Sequence, residues 1–329
     1  MGNPLQKGKW AVWAAVVFLL WSEDSRGLSQ EDGGRSIPMQ DRIEAAVSGG
    51  RLDADGHPLL CRVSLPRFYE NRGFEAAWIA GGAPSGDADD LLGVIRGAHR
   101  EGLKPEEYHL TAIESILARS RQAPLSPEDR LDLELLLTDA FLLLGSHLLS
   151  GRINPETIDA EWFVAPRSGD MPALLEGALN THRVRAVLMG FLPSHPGYEK
   201  LRRALYNYRS LAAAGGWEAV PEGPALKPGD AGERVIHLSR RLSADSALNL
   251  LTDAPGAVYD SDVEAAVREF QRRHGLEPDG VAGKATLSAL NVPASQRVRQ
   301  IEANLERWRW LPEDLGERYI LVNVADYTL

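Results

Sequence analysis

The chain has 329 residues, room for two or more domains, and its 44% hydrophobic content is that of a globular protein. Its 46 acidic and 36 basic residues give a net charge of −10, interspersed without a Lys/Arg block able to track a phosphate backbone, which argues against a nucleic-acid partner. One cysteine, Cys61, excludes an intrachain disulfide, so apolar burial must supply the stability.

Lys7 and Lys9 precede an uninterrupted apolar run from Trp10 to Trp21, after which Ser22, Glu23 and Asp24 turn polar. A positive flank before a short apolar run predicts export to the periplasm or cell envelope. Residues 1–27 are read as a signal peptide or an N-terminal anchor, and any membrane attachment is expected only there. Residues 28–40 form a Ser-, Gly- and acid-rich tether.

Helical patterning begins near Asp41, with Ile43, Ala46 and Val47 on one face. The segment 67–78 joins aromatics to a central Gly73 and predicts a short buried element. Gly81–Asp87 predicts a loop. Helices are then expected at Asp89–Glu101, stopped by Gly102, and at Thr111–Arg121. A third starts at Ser126-Pro127-Glu128-Asp129, a capping serine before proline and first-turn acids. It runs to Gly151, apolar nearly all round, yet Asp132, Glu134, Asp139 and His147 interrupt it. That composition fits a central helix surrounded by others better than a membrane span. Further helices are predicted at Ala173–Asn180 and Tyr198–Ala214, followed by an extended connector from Trp217 to Lys227.

The next stretch predicts three short helices. Asp230 and Glu233 are placed to cap the first, whose Val235, Leu238 and Leu242 recur on one face. Ser261-Asp-Val-Glu264 reads as a capping box for the second, with Val263, Val267 and Phe270 inward and Gly275 as its stop. Asp279-Gly280 makes a tight turn, and Gly283–Leu290 is the third helix. His237 and His274 stand one per helix, with no paired carboxylates at fixed spacing, so the bundle reads as a recognition module. Polar groups beside a Gly-lined turn can hydrogen-bond a ligand's hydroxyls or amides, which makes Gln271, Arg272 and Asp279 the candidate contacts. A helix at 295–312 follows, with Val298, Ile301, Leu305 and Trp308 on one stripe. Residues 318–329 alternate as a half-buried strand.

The order Gly-Asp-x-Gly, Val-x-x-Leu, Phe-Gln-x-x-His-Gly-Leu, Asp-Gly-x-x-Gly-x-x-Thr-x-x-x-Leu over 226–290 resembles peptidoglycan-binding domains attached to bacterial wall enzymes. With Gly-Leu-Lys-Pro-Glu-Glu-Tyr108, Gly151-Arg-Ile-Asn-Pro155, Asn304-Leu-Glu-Arg-Trp-Arg-Trp-Leu-Pro312 and Arg318-Tyr-Ile-Leu-Val-Asn-Val324, the chain resembles scaffold-containing L,D-transpeptidases of Gram-negative bacteria. The resemblance implies a helical scaffold domain at 41–219, a three-helix peptidoglycan-binding domain at 226–290 and a connecting helix at 295–312. The fold class is therefore mainly α, ending at 318–329 in the first strand of a mainly-β catalytic domain. Peptidoglycan is the implied partner, with envelope proteins expected on the scaffold and no cofactor.

In that family a His and a Ser-His-Gly-Cys motif transfer an acyl group between stem peptides. A paired His raises the thiolate fraction above that of a free cysteine. No Ser-His-Gly-Cys occurs in residues 1–329. Cys61, four residues after His57, lacks that lead and is read as a small apolar residue. The chain is expected not to transpeptidate. A non-enzymatic wall-binding or adaptor protein is the rival expectation, and a hydrolase site within the scaffold a third that no carboxylate pair favours.

Overall fold

The computed structural model describes residues 37–313, apart from residue 52, residues 159–161, residue 163 and residues 245–255. The expected signal or anchor at 1–27, residues 28–36 of the tether and the strand at 318–329 lie outside the described residues. From Pro38 onward the chain clusters as one unit and is mainly helical, as the sequence predicted.

Helices α1 (Met39–Ser48) and α2 (Ser64–Asn71) flank a small hairpin of β1 (Asp53–Ala54) and β2 (His57–Pro58). A second hairpin, β3 (Ile79–Ala80) with β4 (Ala83–Pro84), turns on Gly81 and Gly82 where a plain loop was expected. Next come α3 (Gly86–Gly97), a 3-10 turn at Ala98–Glu101, α4 (Leu110–Ser120) and α5 (Pro127–Ser150). α6 (Met171–Asn180), α7 (Val184–Gly190) and α8 (Pro196–Ala213) complete the first body. α7 has only seven residues, too few for its periodicity to register in the sequence, and no helix was expected there.

α5 begins as predicted. The Ser126 hydroxyl accepts from the Asp129 N–H at 3.0 Å, and Pro127 occupies the first turn where its missing N–H costs nothing. The helix is long and apolar enough to cross a membrane, but 72% of its most apolar window is buried inside the protein. It is the central helix of a core built from Leu91, Ile95, Ile113, Leu136, Phe141, Leu144 and their neighbours.

The acids that interrupt α5 have structural employment. Glu134 accepts the N–H groups of Ala77 and of Trp78, the latter at 3.1 Å, and takes the Tyr69 hydroxyl at 3.2 Å. Asp139 accepts the N–H groups of Leu60 (3.1 Å) and Cys61 (2.7 Å) and pairs with His109 Nε2 at 2.7 Å. Asp132 holds Arg51 at 2.6 Å. A buried carboxylate needs such partners to offset its lost hydration, and the irregular stretches at Leu60–Cys61 and Ala77–Trp78 supply backbone donors that no strand or helix uses.

Three further helices, α9 (Glu233–Ser243), α10 (Ser261–Arg273) and α11 (Lys284–Leu290), enclose a separate core. Val235, Leu238, Leu242, Val263, Val267, Phe270, Leu287 and Leu290 fill it, as the spacing predicted. Two expected caps are displaced. Asp230 accepts from the Lys227 N–H at 2.9 Å and closes its own loop, leaving α9 to start at Gly232 without a side-chain cap. α10 is capped by Asp260, which accepts from Asp262 and Val263, and not by Ser261.

The last helix, α12 (Ala294–Arg309), returns to the first body and packs along α8 through Leu305, Val298, Ile301 and Trp308 against Tyr198, Leu201 and Leu205. The three-helix module is thus an excursion between two neighbouring helices. Arg309, 1% exposed, fastens α12 in place. It donates to Glu306 at 2.6 Å, to the Glu101 carbonyl at 3.0 Å and to the Tyr198 hydroxyl at 3.1 Å. Glu306 in turn accepts the N–H groups of Arg152 (2.5 Å) and Ile153 (3.1 Å). Burial works to raise the Glu306 carboxyl, and Arg309 with these donors more than offsets it, so it stays below its ordinary range. Gly151 makes the approach fit: its φ is +86°, and a Cβ there would stand 2.6 Å from Glu306 Oε1.

Candidate functional site

The recognition candidates sit on the three-helix module, and Gln271 organises the turn that carries them. Its Nε2 donates to Asp279 Oδ1 (2.7 Å), the Val281 carbonyl (3.0 Å) and Thr286 Oγ1 (3.1 Å), while its Oε1 accepts the Gly280 N–H at 2.9 Å. The residue is 1% exposed. Gln271 therefore presents no surface to a ligand, which corrects its expected role: it acts by fixing the Asp279–Val281 turn. Its place on the stripe of Val263 and Val267, eight and four residues on, was the available signal.

The turn is tied from the other side too. The Tyr259 hydroxyl, buried, donates to the Gly280 carbonyl at 2.7 Å. Leu226 and Ala282 exchange backbone hydrogen bonds at 3.2 and 2.8 Å, which seats the module's entry segment against the turn. Gly280 has φ +76°, and a Cβ there would meet Glu264 Cγ at 2.9 Å, so both backbone shape and space require glycine.

Asp279 and Arg272 are exposed on this frame. The Val281 N–H, and then the Gln271 amide, hold the Asp279 carboxyl below its ordinary range, so it is an ionised acceptor at neutral pH. Arg272 pairs with Glu269 along α10. Nearby, Arg268 is locked between Glu264 (2.6 Å) and the Pro278 carbonyl (2.6 Å). The surface thus offers a fixed carboxylate and guanidinium donors around a rigid turn. Such a set suits hydroxyl, amide and carboxylate groups held in one orientation.

The histidines are structural. His274 stacks on Phe270 with ring centroids 3.9 Å apart and bonds the Phe270 carbonyl through Nδ1 at 2.8 Å. His237 Nδ1 lies 3.5 Å from Glu218 in the connector.

The module is anchored by residues the sequence analysis did not single out. Arg241, 2% exposed, lies over the Trp217 ring at 3.6 Å and donates to the Leu290 carbonyl at 2.6 Å. The Asn291 side chain bonds both the N–H and the carbonyl of Val220, at 2.8 and 2.9 Å. Trp217 Nε1 reaches the Val292 carbonyl at 3.2 Å.

Cys61 does not face His57, which sits exposed on β2. Its thiol lies against the Asp139 carbonyl at 3.8 Å. Burial, and then the Asp139 carboxylate, push the thiol well above its ordinary range, so it is held protonated and poorly nucleophilic.

Residues 63–205 match the family described as Scaffold domain, and residues 231–290 match the family described as putative peptidoglycan binding domain. General secretion pathway protein A of Aeromonas hydrophila is similar as well, 31% identical over 94 residues, which are 28% of this chain and 16% of that protein. The chain therefore spans only a small part of that relative's length. Scaffold and peptidoglycan-binding matches on one chain support a peptidoglycan-associated protein with a cell-wall-binding role, and an envelope location.

Proposed function

We propose that the chain holds peptidoglycan through the surface around Asp279 and Arg272, and that it is the wall-binding portion of a murein L,D-transpeptidase involved in wall crosslinking. The observation that carries the binding claim is the turn fixed by Gln271 and Tyr259, which displays Asp279 within the segment that matches a peptidoglycan-binding family. Support for the enzyme family comes from the order of parts, a scaffold match followed by the binding match and the returning helix α12. Residues 1–27 as a signal or anchor, and protein partners on the scaffold, belong to the same proposal.

Residues 1–329 do not carry the acyl-transfer chemistry under this reading. Their one cysteine is half-buried against a carboxylate, and a thiol kept protonated cannot attack a stem-peptide carbonyl at neutral pH. Co-sedimentation of the full chain with purified sacculi is expected to retain it, and an Asp279→Ala/Arg272→Ala variant to weaken retention. Absence of retention by the wild-type chain removes the binding claim. Incubation with a carbapenem is expected to leave the chain mass unchanged; an adduct at Cys61 overturns the assignment.

A further inference from the structure

Away from the binding module, a groove of about 700 Å³ runs between the 3-10 turn Ala98–Glu101 and the outward face of α8. Arg100, Arg202, Arg203 and Arg209 line it, in a chain whose net charge is −10. Their partners lie mostly behind them. Glu101 Oε1, almost wholly buried, holds Arg202 at 2.8 Å, and Glu302 of α12 holds Arg209 at 2.6 Å. Arg209 also donates to the His99 carbonyl. These bonds fix two guanidiniums before any ligand arrives, which lowers the entropy cost of using them. Glu199 alone is shared between Arg202 (2.7 Å) and Arg203 (3.3 Å), so four cations meet three carboxylates. Tyr206 stands 74% exposed on the same helix face, with Asn207 and Ser210 beside it.

We propose that this groove binds the carboxylates of a peptide, and that the peptide is the acidic stem of peptidoglycan. Arginine forks match carboxylates in geometry, Asn207 and Ser210 can bond peptide amides, and the exposed Tyr206 ring offers apolar cover for short side chains. The volume lies within the range of pockets that enclose small ligands. The identity of the peptide rests on the wall-binding reading above, whereas the carboxylate chemistry does not. The scaffold then reads the peptide while the module around Asp279 holds the wall.

The test titrates the full chain, by calorimetry, with three probes. They are the free tetrapeptide L-Ala–γ-D-Glu–diaminopimelate–D-Ala, the murein disaccharide without peptide, and phosphatidylglycerol vesicles. Wild type is expected to bind the tetrapeptide, and an Arg100→Gln/Arg203→Gln variant to bind it about 3–10-fold more weakly. Arg203 is 75% exposed, so the variant should keep its circular dichroism spectrum. Equal tetrapeptide affinity in variant and wild type overturns the proposal, as does no tetrapeptide binding by the wild type. Vesicle binding that the variant loses, without tetrapeptide binding, assigns the groove to lipid phosphates and overturns it too. Sacculus retention without tetrapeptide binding sinks the groove and spares the wall-binding reading; tetrapeptide binding without sacculus retention does the reverse.

Discussion

Gln271 and Asp279, eight residues apart, are joined by a 2.7 Å hydrogen bond that links the buried end of α10 to the exposed turn of the binding module. One side chain is interior and the other solvent-facing, so the bond carries the order of the core out to the surface. Gln271→Ala removes the acceptor for the buried Gly280 N–H and the donor for three oxygens. Residues 226–290 are expected to lose roughly 2–4 kcal/mol of stability. Hydrogen exchange at Gly280 and Val281 should accelerate before that of α9. Unchanged protection there would show that the turn orders itself without Gln271.

Asp139 is the acceptor that folds the 60–61 backbone onto α5. Asp139→Ala leaves the Leu60 and Cys61 N–H groups and His109 without their partner, and is expected to cost about 3–5 kcal/mol by urea denaturation. The Cys61 thiol supplies a finer reading. In the native wild type it should resist iodoacetamide at pH 8 and react on unfolding, while Asp139→Asn, if still folded by circular dichroism, should label faster. Prompt labelling of the native wild type would contradict the packing of the thiol against Asp139.

Two groups in α5 give stability opposite dependences on pH. Burial raises the Glu134 carboxyl from its ordinary 4.5 to about 7, its N–H donors notwithstanding. Between those values the folded chain keeps a proton that the unfolded chain releases, so stability falls as pH rises. Burial, and then Arg152, lower the His147 imidazole from 6.5 to about 4, against the Tyr108 hydroxyl at 3.0 Å. There the unfolded chain holds the extra proton, so stability rises with pH across 4 to 6.5. The two oppose each other from 4.5 to 6.5, and only Glu134 acts from 6.5 to 7. Denaturation of Glu134→Gln should therefore show stability climbing with pH to 6.5, and that of His147→Gln should show it falling to pH 7. Each contribution is expected on the order of 3 kcal/mol. Parallel profiles for the two variants would refute both assignments.

Arg309 joins α12 to α8 and to the 3-10 turn through buried bonds. Arg309→Ala strands Glu306 beside the Arg152 and Ile153 N–H groups and is expected to destabilise the junction by about 3–5 kcal/mol. Lysine should not rescue it, because one ammonium cannot span three acceptors set around a planar fork. Exchange protection across Ala294–Arg309 is the measurement. Full protection in the Ala variant would mean that Leu305 and its apolar neighbours suffice.

The helices with strong local punctuation were legible. Ser126-Pro127, Gly102, Gly275 and Gly280 all do what their residue types dictate. The long-range polar bonds were not. Glu134 and Asp139 answer backbone donors 56 to 79 residues earlier, a pairing that no local window contains, so they registered only as breaks in an apolar pattern. The cap at Asp260 was misassigned by one residue because Ser261 and Glu264 fit a capping box equally well as letters. Gln271 was misread for another reason: a glutamine on a core stripe looks like a surface residue until the turn that consumes its amide is in place. The arginine groove was invisible because its lining comes from α8 and a 3-10 turn nearly a hundred residues apart, braced by α12 a further hundred on.

Because the module leaves α8 and rejoins at α12, its two necks run side by side, clasped by Asn291 on Val220 and by Trp217 on Val292. A pull from the wall would reach the helical body along both necks at once, sharing the load between two covalent paths instead of one. Severing either neck would leave the wall grip connected through the other, and the module could swivel only by first breaking that clasp.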